Sequence, residues 1–156
     1  MNATELFFDT IRKGFNDRLE AQIENNPEIV NMKDTRGFTP LIFATYFDNK
    51  EASEILLKHK AEVDAKDASG NTALIGVSFK GNLPITELLL SRGANINETN
   101  NTGATALIFA TMYNQKAIVE LLLKLGGDKS LKDDSGNTAL DYANEKGFKD
   151  LEKLLK

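Results

Sequence analysis

The chain contains no cysteine, and its only histidine is His59. Without cysteine it forms no disulfide and offers no thiolate ligand to zinc. His59 has neither a cysteine nor a second histidine with which to build a metal site or an acid–base pair. The sequence also lacks a Gly-rich phosphate-binding loop, a G-x-S-x-G nucleophile motif and an Asp-rich calcium loop. We therefore expect no catalytic residue, no metal site and no cofactor.

Long apolar runs and clusters of basic residues are missing as well. No run approaches the roughly 20 apolar residues that span a bilayer, and the N-terminal stretch MNATELFFDTIRKGFNDRLE is charged throughout, unlike a secretory signal. The net charge is −4 and the basic residues are dispersed, whereas phosphate binding needs a clustered basic surface. We expect a cytoplasmic protein whose partners include neither nucleic acid nor a membrane.

What the sequence does contain is an internal repeat. Glycines recur every 33 residues within four segments that align without gaps, namely RGFTPLIFA, SGNTALIGV, TGATALIFA and SGNTALDYA. The stretches that follow align too, as in EILLKHKAEVDAKD, ELLLSRGANINETN and ELLLKLGGDKSLKD. Repeats of this length build solenoids, because one unit alone cannot bury its apolar face and must stack on its neighbours.

Each unit carries local signals for two helices and a turn. Thr39 is a favourable N-cap and Pro40 suits the first helical position, which predicts a short helix over residues 39–47. A second helix is predicted over residues 50–58. The polar run 95–103, with its glycine, predicts a protruding turn between units.

The pattern resembles the ankyrin repeat family. The family's G-x-T-P-L-x-x-A opening is matched by Gly37, Thr39, Pro40, Leu41 and Ala44, and its LL-x-x-G-A-D-V-N ending is echoed by residues 89–97. The alternative 34-residue tetratricopeptide repeat would require an aromatic signature that this chain lacks. The resemblance covers nearly the whole chain. It implies a mainly α ankyrin-repeat solenoid of about five helix-turn-helix units joined by hairpin-like loops.

The resemblance also suggests how the chain is divided. We expect a single domain over residues 1–156, with units at about 2–34, 35–67, 68–100, 101–133 and 134–156. The first unit departs from the consensus, and Asp141 in the last unit replaces the isoleucine of the other units. We interpret these two units as polar caps.

One position inside the repeat is unusual. Gly76 stands where the sister units have Phe43, Phe109 and Tyr142. Glycine inside a helix costs about 1 kcal/mol relative to alanine. The glycine either makes room for flanking aromatic rings, with Phe79 folding back into the space, or leaves a local groove in the middle unit. The sequence leaves both interpretations open.

In ankyrin-like proteins a partner usually meets the concave face, which is made by the first helix of each pair and the loop tips. Reading those positions off this sequence predicts a partner-binding surface made of Arg36, Phe38, Tyr46, Phe47, Ser69, Asn71, Phe79, Lys80, Thr102, Met112, Tyr113 and Asn137. Several of these residues are large and apolar at positions where the family usually has polar ones. Monomers seldom expose so much apolar surface, and aromatic residues are enriched among interface hot spots. The alternative is that the rings simply pack between neighbouring helices.

The function predicted from the sequence is therefore a non-catalytic protein–protein interaction module that binds an unknown partner protein on its concave face and is a monomer when free. Two alternatives stay open. One is a structural protein that associates with its own copies through the aromatic stripe, and the other is a regulatory subunit or inhibitor of an enzyme.

Overall fold

The computed structural model describes residues Met1–Lys156 and contains ten α-helices, one short 3₁₀ helix at Pro27–Asn31 and no β-strand. The α-helices are α1 (Ala3–Lys13), α2 (Asn16–Asn25), α3 (Pro40–Tyr46), α4 (Lys50–Lys58), α5 (Ala73–Lys80), α6 (Leu83–Ser91), α7 (Ala106–Met112), α8 (Lys116–Lys124), α9 (Ala139–Lys146) and α10 (Lys149–Leu155). Each odd-numbered helix packs on the even-numbered helix that follows it and on the odd-numbered helix of the next unit. The predicted mainly α solenoid of helix-turn-helix units is confirmed.

The first helix of each later unit begins at a threonine N-cap. The hydroxyls of Thr39, Thr72, Thr105 and Thr138 each accept a hydrogen bond from the backbone N–H three residues further on, at 3.1 to 3.2 Å. Such a cap satisfies one of the free donors at the start of a helix. The local signals therefore define where these helices begin, and the helices predicted over residues 39–47 and 50–58 are present as α3 and α4.

The turn between the two helices of a pair contains a residue in the left-handed conformation. Gly81 occupies this place after α5 with a φ of 82°, and Asp48 and Asn114 occupy it in the neighbouring units with φ values of 57° and 55°. Aspartate and asparagine tolerate this region better than other residues with a side chain. The chain therefore reverses direction at the same point in every unit.

A continuous core of 31 buried apolar residues runs through all the units. The polar groups inside it are satisfied locally, because the hydroxyls of Thr10, Thr45, Ser78 and Thr111 donate to backbone carbonyls three or four residues earlier in the same helix. Buried polar groups normally require such partners. Because these hydroxyls already have partners, the first helices can pack closely side by side. Their ends then lie in a row that faces solvent.

The loops between units are held by one recurring side chain. In Asp34, Asp67, Asn100 and Asp133, the Oδ1 atom accepts hydrogen bonds from the backbone N–H groups two and four residues further on, at 2.9 to 3.0 Å. Aspartate and asparagine favour such turns for this reason. Backbone hydrogen bonds also join successive loops, so the loop tips are arranged in register beside the first helices.

Candidate protein-binding surface

Four large aromatic side chains are exposed where the first helices end. Tyr46 is the last residue of α3 and is 57% exposed, and Phe47 follows it at 43%. Phe79 lies near the end of α5 at 38%, and Tyr113 follows α7 at 53%. All four belong to the surface predicted from the sequence, and water reaches each of them.

The rings on this side of the protein form two clusters. The first aromatic cluster consists of Phe8, Phe43, Tyr46 and Phe47, and the second consists of Phe79, Phe109 and Tyr113. The ring centroids of Phe43 and Phe47 are 4.8 Å apart, and those of Phe79 and Tyr113 are 4.9 Å apart. Such tilted pairs are each worth about 0.5–1.5 kcal/mol beyond area burial. The Phe79–Tyr113 pair joins two neighbouring units and stabilises their packing, whereas the Phe43–Phe47 pair lies within one unit.

Two other apolar candidates are half-buried. Phe38 and Met112 pack against the core. The guanidinium of Arg36 lies 5.0 Å from the centre of the Phe38 ring and 5.6 Å from that of Phe43, within the range of a cation–π contact. It also pairs with Asp34 at 2.9 Å. Burial raises the pKa of Asp34, but hydrogen bonds from the Phe38 N–H and from Arg36 outweigh it and leave the pKa below its usual value.

Lys80 is the second cation beside the exposed rings. Its ammonium group lies 4.7 Å from the centre of the Tyr46 ring, donates to the carbonyl oxygen of Tyr46 and lies 3.4 Å from Asp48 Oδ2. These contacts tie the end of α5 to the end of α3. Both Arg36 and Lys80 are therefore charged groups held over aromatic rings by a neighbouring acid.

The remaining candidates lie on the loop tips. Ser69 and Thr102 are exposed, and their carbonyl oxygens accept the backbone bonds that join successive loops, at 3.0 and 2.9 Å. Asn71 and Asn137 are half-buried, and their N–H groups donate to the loop aspartates. Ser69 and Thr102 therefore hold successive loops in register through their backbone, and Asn71 alone of the four lines a cavity together with aromatic side chains.

Three adjoining cavities run along this surface, with volumes of about 530, 240 and 170 Å³. The first two share the side chains of Arg36, Phe43 and Phe47. The second and third share those of Phe38, Ile42 and Tyr46. We call the three together the aromatic groove, which extends from α1 in the first unit to Phe109 in the fourth.

The third cavity surrounds Gly76, and we call it the Gly76 notch. A methyl group added at Gly76 would have no heavy atom within 4 Å. Phe79 borders this space but does not fill it, since its ring is 38% exposed and packs against Tyr113. The flanking aromatic rings thus surround the position of Gly76 and leave a small cavity there.

The single histidine lies on another part of the molecule. His59 follows α4, and its Nε2 is 3.0 Å from Glu20 Oε1, to which Lys58 also pairs at 2.7 Å. The hydrogen bond from Lys58, and then the one from His59, lower the pKa of Glu20. This cluster links α4 to α2.

No group of three or more histidine, cysteine, aspartate or glutamate side chains could hold a metal ion. None of the helices has the length and apolarity to cross a bilayer.

Sequence reasoning missed several contributors to this surface. Asp67 and Phe109, for example, line the Gly76 notch, but neither was among the candidate residues. The signal was present in the repeat, because Asp34, Asp67 and Asp133 each stand nine residues before the position that holds Phe43, Gly76 and Tyr142.

Comparison with protein families gives one match. The family model described as ankyrin repeats (3 copies) matches residues 7–100 and 74–156, which together span nearly the whole chain. A comparison with curated proteins finds no match. Ankyrin repeats are in general protein–protein interaction modules and are typically non-catalytic. The repeat, the helix-turn-helix units and the family match agree, and the chain belongs to the ankyrin repeat family.

Proposed function

We propose that this protein is a non-catalytic module that binds a partner protein along the aromatic groove, on the concave face of the solenoid. The observation that carries the proposal is the exposure of Tyr46, Phe47, Phe79 and Tyr113 on one side of the molecule. Aromatic side chains are enriched at interface hot spots.

The exposed area is of the right order for the centre of an interface. An aromatic side chain buries about 150–250 Å² when it is fully covered, so four rings that are about half exposed offer on the order of 400 Å². A specific interface buries about 800 Å² on each partner. Apolar patches of about 300–600 Å² on monomers are often functional. The rings therefore suit the apolar centre, and the loop tips would supply the rest.

Charge supports the same assignment. Arg36 and Lys80 lie over aromatic rings, and each is paired with an acid, Asp34 or Asp48. Neutralised ion pairs beside an apolar patch resemble the polar rim of an interface rather than a surface that attracts a polyanion. We therefore expect partner binding to depend only weakly on salt.

The proposal is tested by capture of partners from a lysate of the cells that produce the protein. The bait variant Phe47→Ala/Tyr113→Ala removes two exposed rings, and Leu125→Ala is the matched control, since Leu125 is 50% exposed and lies outside the groove. Wild type and control are expected to retain the same specific proteins, identified by mass spectrometry, which the double variant loses. Equal recovery by all three baits, with unchanged circular dichroism, would refute the proposal.

A second candidate follows from the same rings. Exposed aromatic side chains also suit contact with another copy of the chain. Light scattering over a range of concentrations separates the two, because a monomer whose mass is independent of concentration excludes self-association. The single-domain division, the cytoplasmic location and the monomeric state stay predictions from the sequence.

A further inference from the structure

The last unit shows how a loop aspartate and an aromatic side chain combine. The hydroxyl of Tyr142 in α9 donates a hydrogen bond to Oδ2 of Asp133. The other carboxylate oxygen, Oδ1, accepts the N–H groups of Ser135 and Asn137, both at 3.0 Å. The hydrogen bond from Tyr142 to Asp133 is the main reason that the pKa of Tyr142 is raised above its usual value. One oxygen of Asp133 thus holds the loop and the other holds a phenol.

The loop before α5 has half of this arrangement. Asp67 is the repeat equivalent of Asp133, and its Oδ1 accepts the N–H groups of Ser69 and Asn71, both at 2.9 Å. Its Oδ2 accepts no hydrogen bond from the protein. Gly76 is the repeat equivalent of Tyr142 and contributes no side chain. The carboxylate is therefore held in position, but the ring that would meet it is missing.

The loops before α3 and α7 differ from this one. Before α3, the Oδ2 of Asp34 accepts hydrogen bonds from Arg36, whose guanidinium lies over Phe43. Before α7, the aspartate is replaced by Asn100, whose Nδ2 donates to Asn71 Oδ1 at 2.9 Å, and the ring there is Phe109. A carboxylate oxygen without a protein partner, next to a position that lacks an aromatic side chain, thus occurs only at the loop before α5.

The space at this position suits a single ring. The Gly76 notch has a volume of about 170 Å³, and its lining includes Asp67 and Asn71 together with the apolar side chains of Phe38, Ile42, Tyr46, Phe79 and Phe109. An apolar cavity of about 150 Å³ is sufficient to bind benzene, whereas pockets for small-molecule ligands usually measure about 300–1,000 Å³. The notch is therefore of the size of one aromatic side chain and too small for a cofactor.

We propose that the Gly76 notch is a recognition pocket for a tyrosine side chain of the partner protein. The ring enters the notch from the solvent side, and its phenol hydroxyl donates to Asp67 Oδ2, as the hydroxyl of Tyr142 donates to Asp133 in the last repeat. This inference rests on the proposed function, because the tyrosine belongs to a protein bound along the aromatic groove. A hydrogen bond to a charged acceptor is stronger than one between neutral groups, so the pocket selects tyrosine over phenylalanine.

The probe is the blocked amino acid itself. N-acetyl-tyrosinamide, N-acetyl-phenylalaninamide and N-acetyl-argininamide are each titrated into ¹⁵N-labelled protein, and the amide signals of Gly76 and Asn71 are followed by NMR. The tyrosine probe is expected to shift both signals saturably. The phenylalanine probe is expected to bind about tenfold more weakly, which corresponds to the loss of one hydrogen bond to a charged group. The arginine probe is included because Arg36 makes the equivalent contact to Asp34.

Two variants give the matched controls. Asp67→Asn keeps the loop, because Asn100 accepts the same two backbone hydrogen bonds in the next unit, but it replaces the free carboxylate oxygen by an amide. It is expected to weaken the tyrosine probe about tenfold and leave the phenylalanine probe unchanged. Gly76→Tyr is expected to abolish binding of both probes, because the new ring occupies the notch.

A second measurement does not depend on probe affinity. The melting temperatures of Gly76→Tyr and Gly76→Phe are compared with Asp67 present and in the Asp67→Asn background. The tyrosine variant is expected to melt higher than the phenylalanine variant only when Asp67 is present. A difference that persists in the Asp67→Asn background would overturn the proposal.

Three further results would also overturn it: phenylalanine binding as tightly as tyrosine, arginine binding more tightly, or no saturable shift up to the solubility limit. These outcomes leave the proposed function untouched, because the lysate experiment uses Phe47 and Tyr113, which do not line the notch. Conversely, if the Phe47→Ala/Tyr113→Ala bait captured the same proteins as wild type, the proposed function would be refuted whatever the probes show.

Discussion

Replacing Gly76 with alanine is expected to stabilise the protein by about 1 kcal/mol. Gly76 lies inside α5 with a helical backbone, and the added methyl group would meet no heavy atom within 4 Å. Glycine is about 0.8–1.0 kcal/mol less favourable than alanine in a helix interior, because it loses more backbone freedom on folding. Since nothing has to move to accommodate the methyl group, the whole propensity gain should appear in the free energy of unfolding.

This gain is measurable by thermal unfolding. For a protein of this size, 1 kcal/mol corresponds to a rise in melting temperature of about 2–4 °C. Urea unfolding should show a higher midpoint with an unchanged m-value, which identifies a change in stability rather than in the surface exposed on unfolding.

The matched control is Gly81→Ala, which changes the residue that ends the same helix. Gly81 has a φ of 82°, and a Cβ there would lie 2.4 Å from Oε1 of Gln115, whose Nε2 donates to the Phe79 carbonyl at 3.0 Å. The left-handed conformation alone costs a residue with a side chain about 1–2 kcal/mol, so this variant should be less stable than wild type.

A lower melting temperature for Gly76→Ala would refute the reasoning, because it would mean that the space beside α5 is not free. The Gly76 notch would then have no physical basis. If both variants raised the melting temperature, the argument from the left-handed turn would be wrong instead.

Three other predictions concern caps and titration. Thr105→Ala removes the N-cap of α7, whereas Thr105→Ser keeps the hydroxyl, and both variants lose the buried methyl group of a side chain that is 2% exposed. In urea unfolding Thr105→Ala should therefore be about 1 kcal/mol less stable than Thr105→Ser. Lys58 and His59 hold the pKa of Glu20 below its unfolded value, so the stability contributed by this carboxylate is present above about pH 4.3 and is lost as the pH falls through the folded pKa. The stability difference between wild type and Glu20→Gln should therefore shrink in that acidic range, and a constant difference would contradict the assignment. The hydrogen bond to Asp133 raises the pKa of Tyr142. A spectrophotometric titration should thus show one tyrosine ionising above the usual range of a phenol, and this transition should be missing in Tyr142→Phe.

Much of the fold is visible in the sequence because its signals act over short distances. Thr39 and Pro40 begin a helix through a hydrogen bond and a backbone angle within one turn, and α3 begins where these residues predict. Gly93 adopts a left-handed φ of 88° after α6, a conformation that glycine favours at the end of a helix. The recurrence of such local signals every 33 residues is sufficient to predict stacked helix pairs, since each pair has one apolar face to cover.

The sequence by itself determined the repeat, the mainly α helix-turn-helix units and the approximate bounds of α3 and α4. Only the tertiary structure decided which aromatic and apolar side chains face solvent: Phe38 and Met112 pack against the core, whereas Phe79 is exposed. It likewise decided that one oxygen of Asp67 accepts no hydrogen bond from the protein. The physical reason for the difference in exposure is that it depends on side chains about 33 residues away, which only stacking of the units brings into contact.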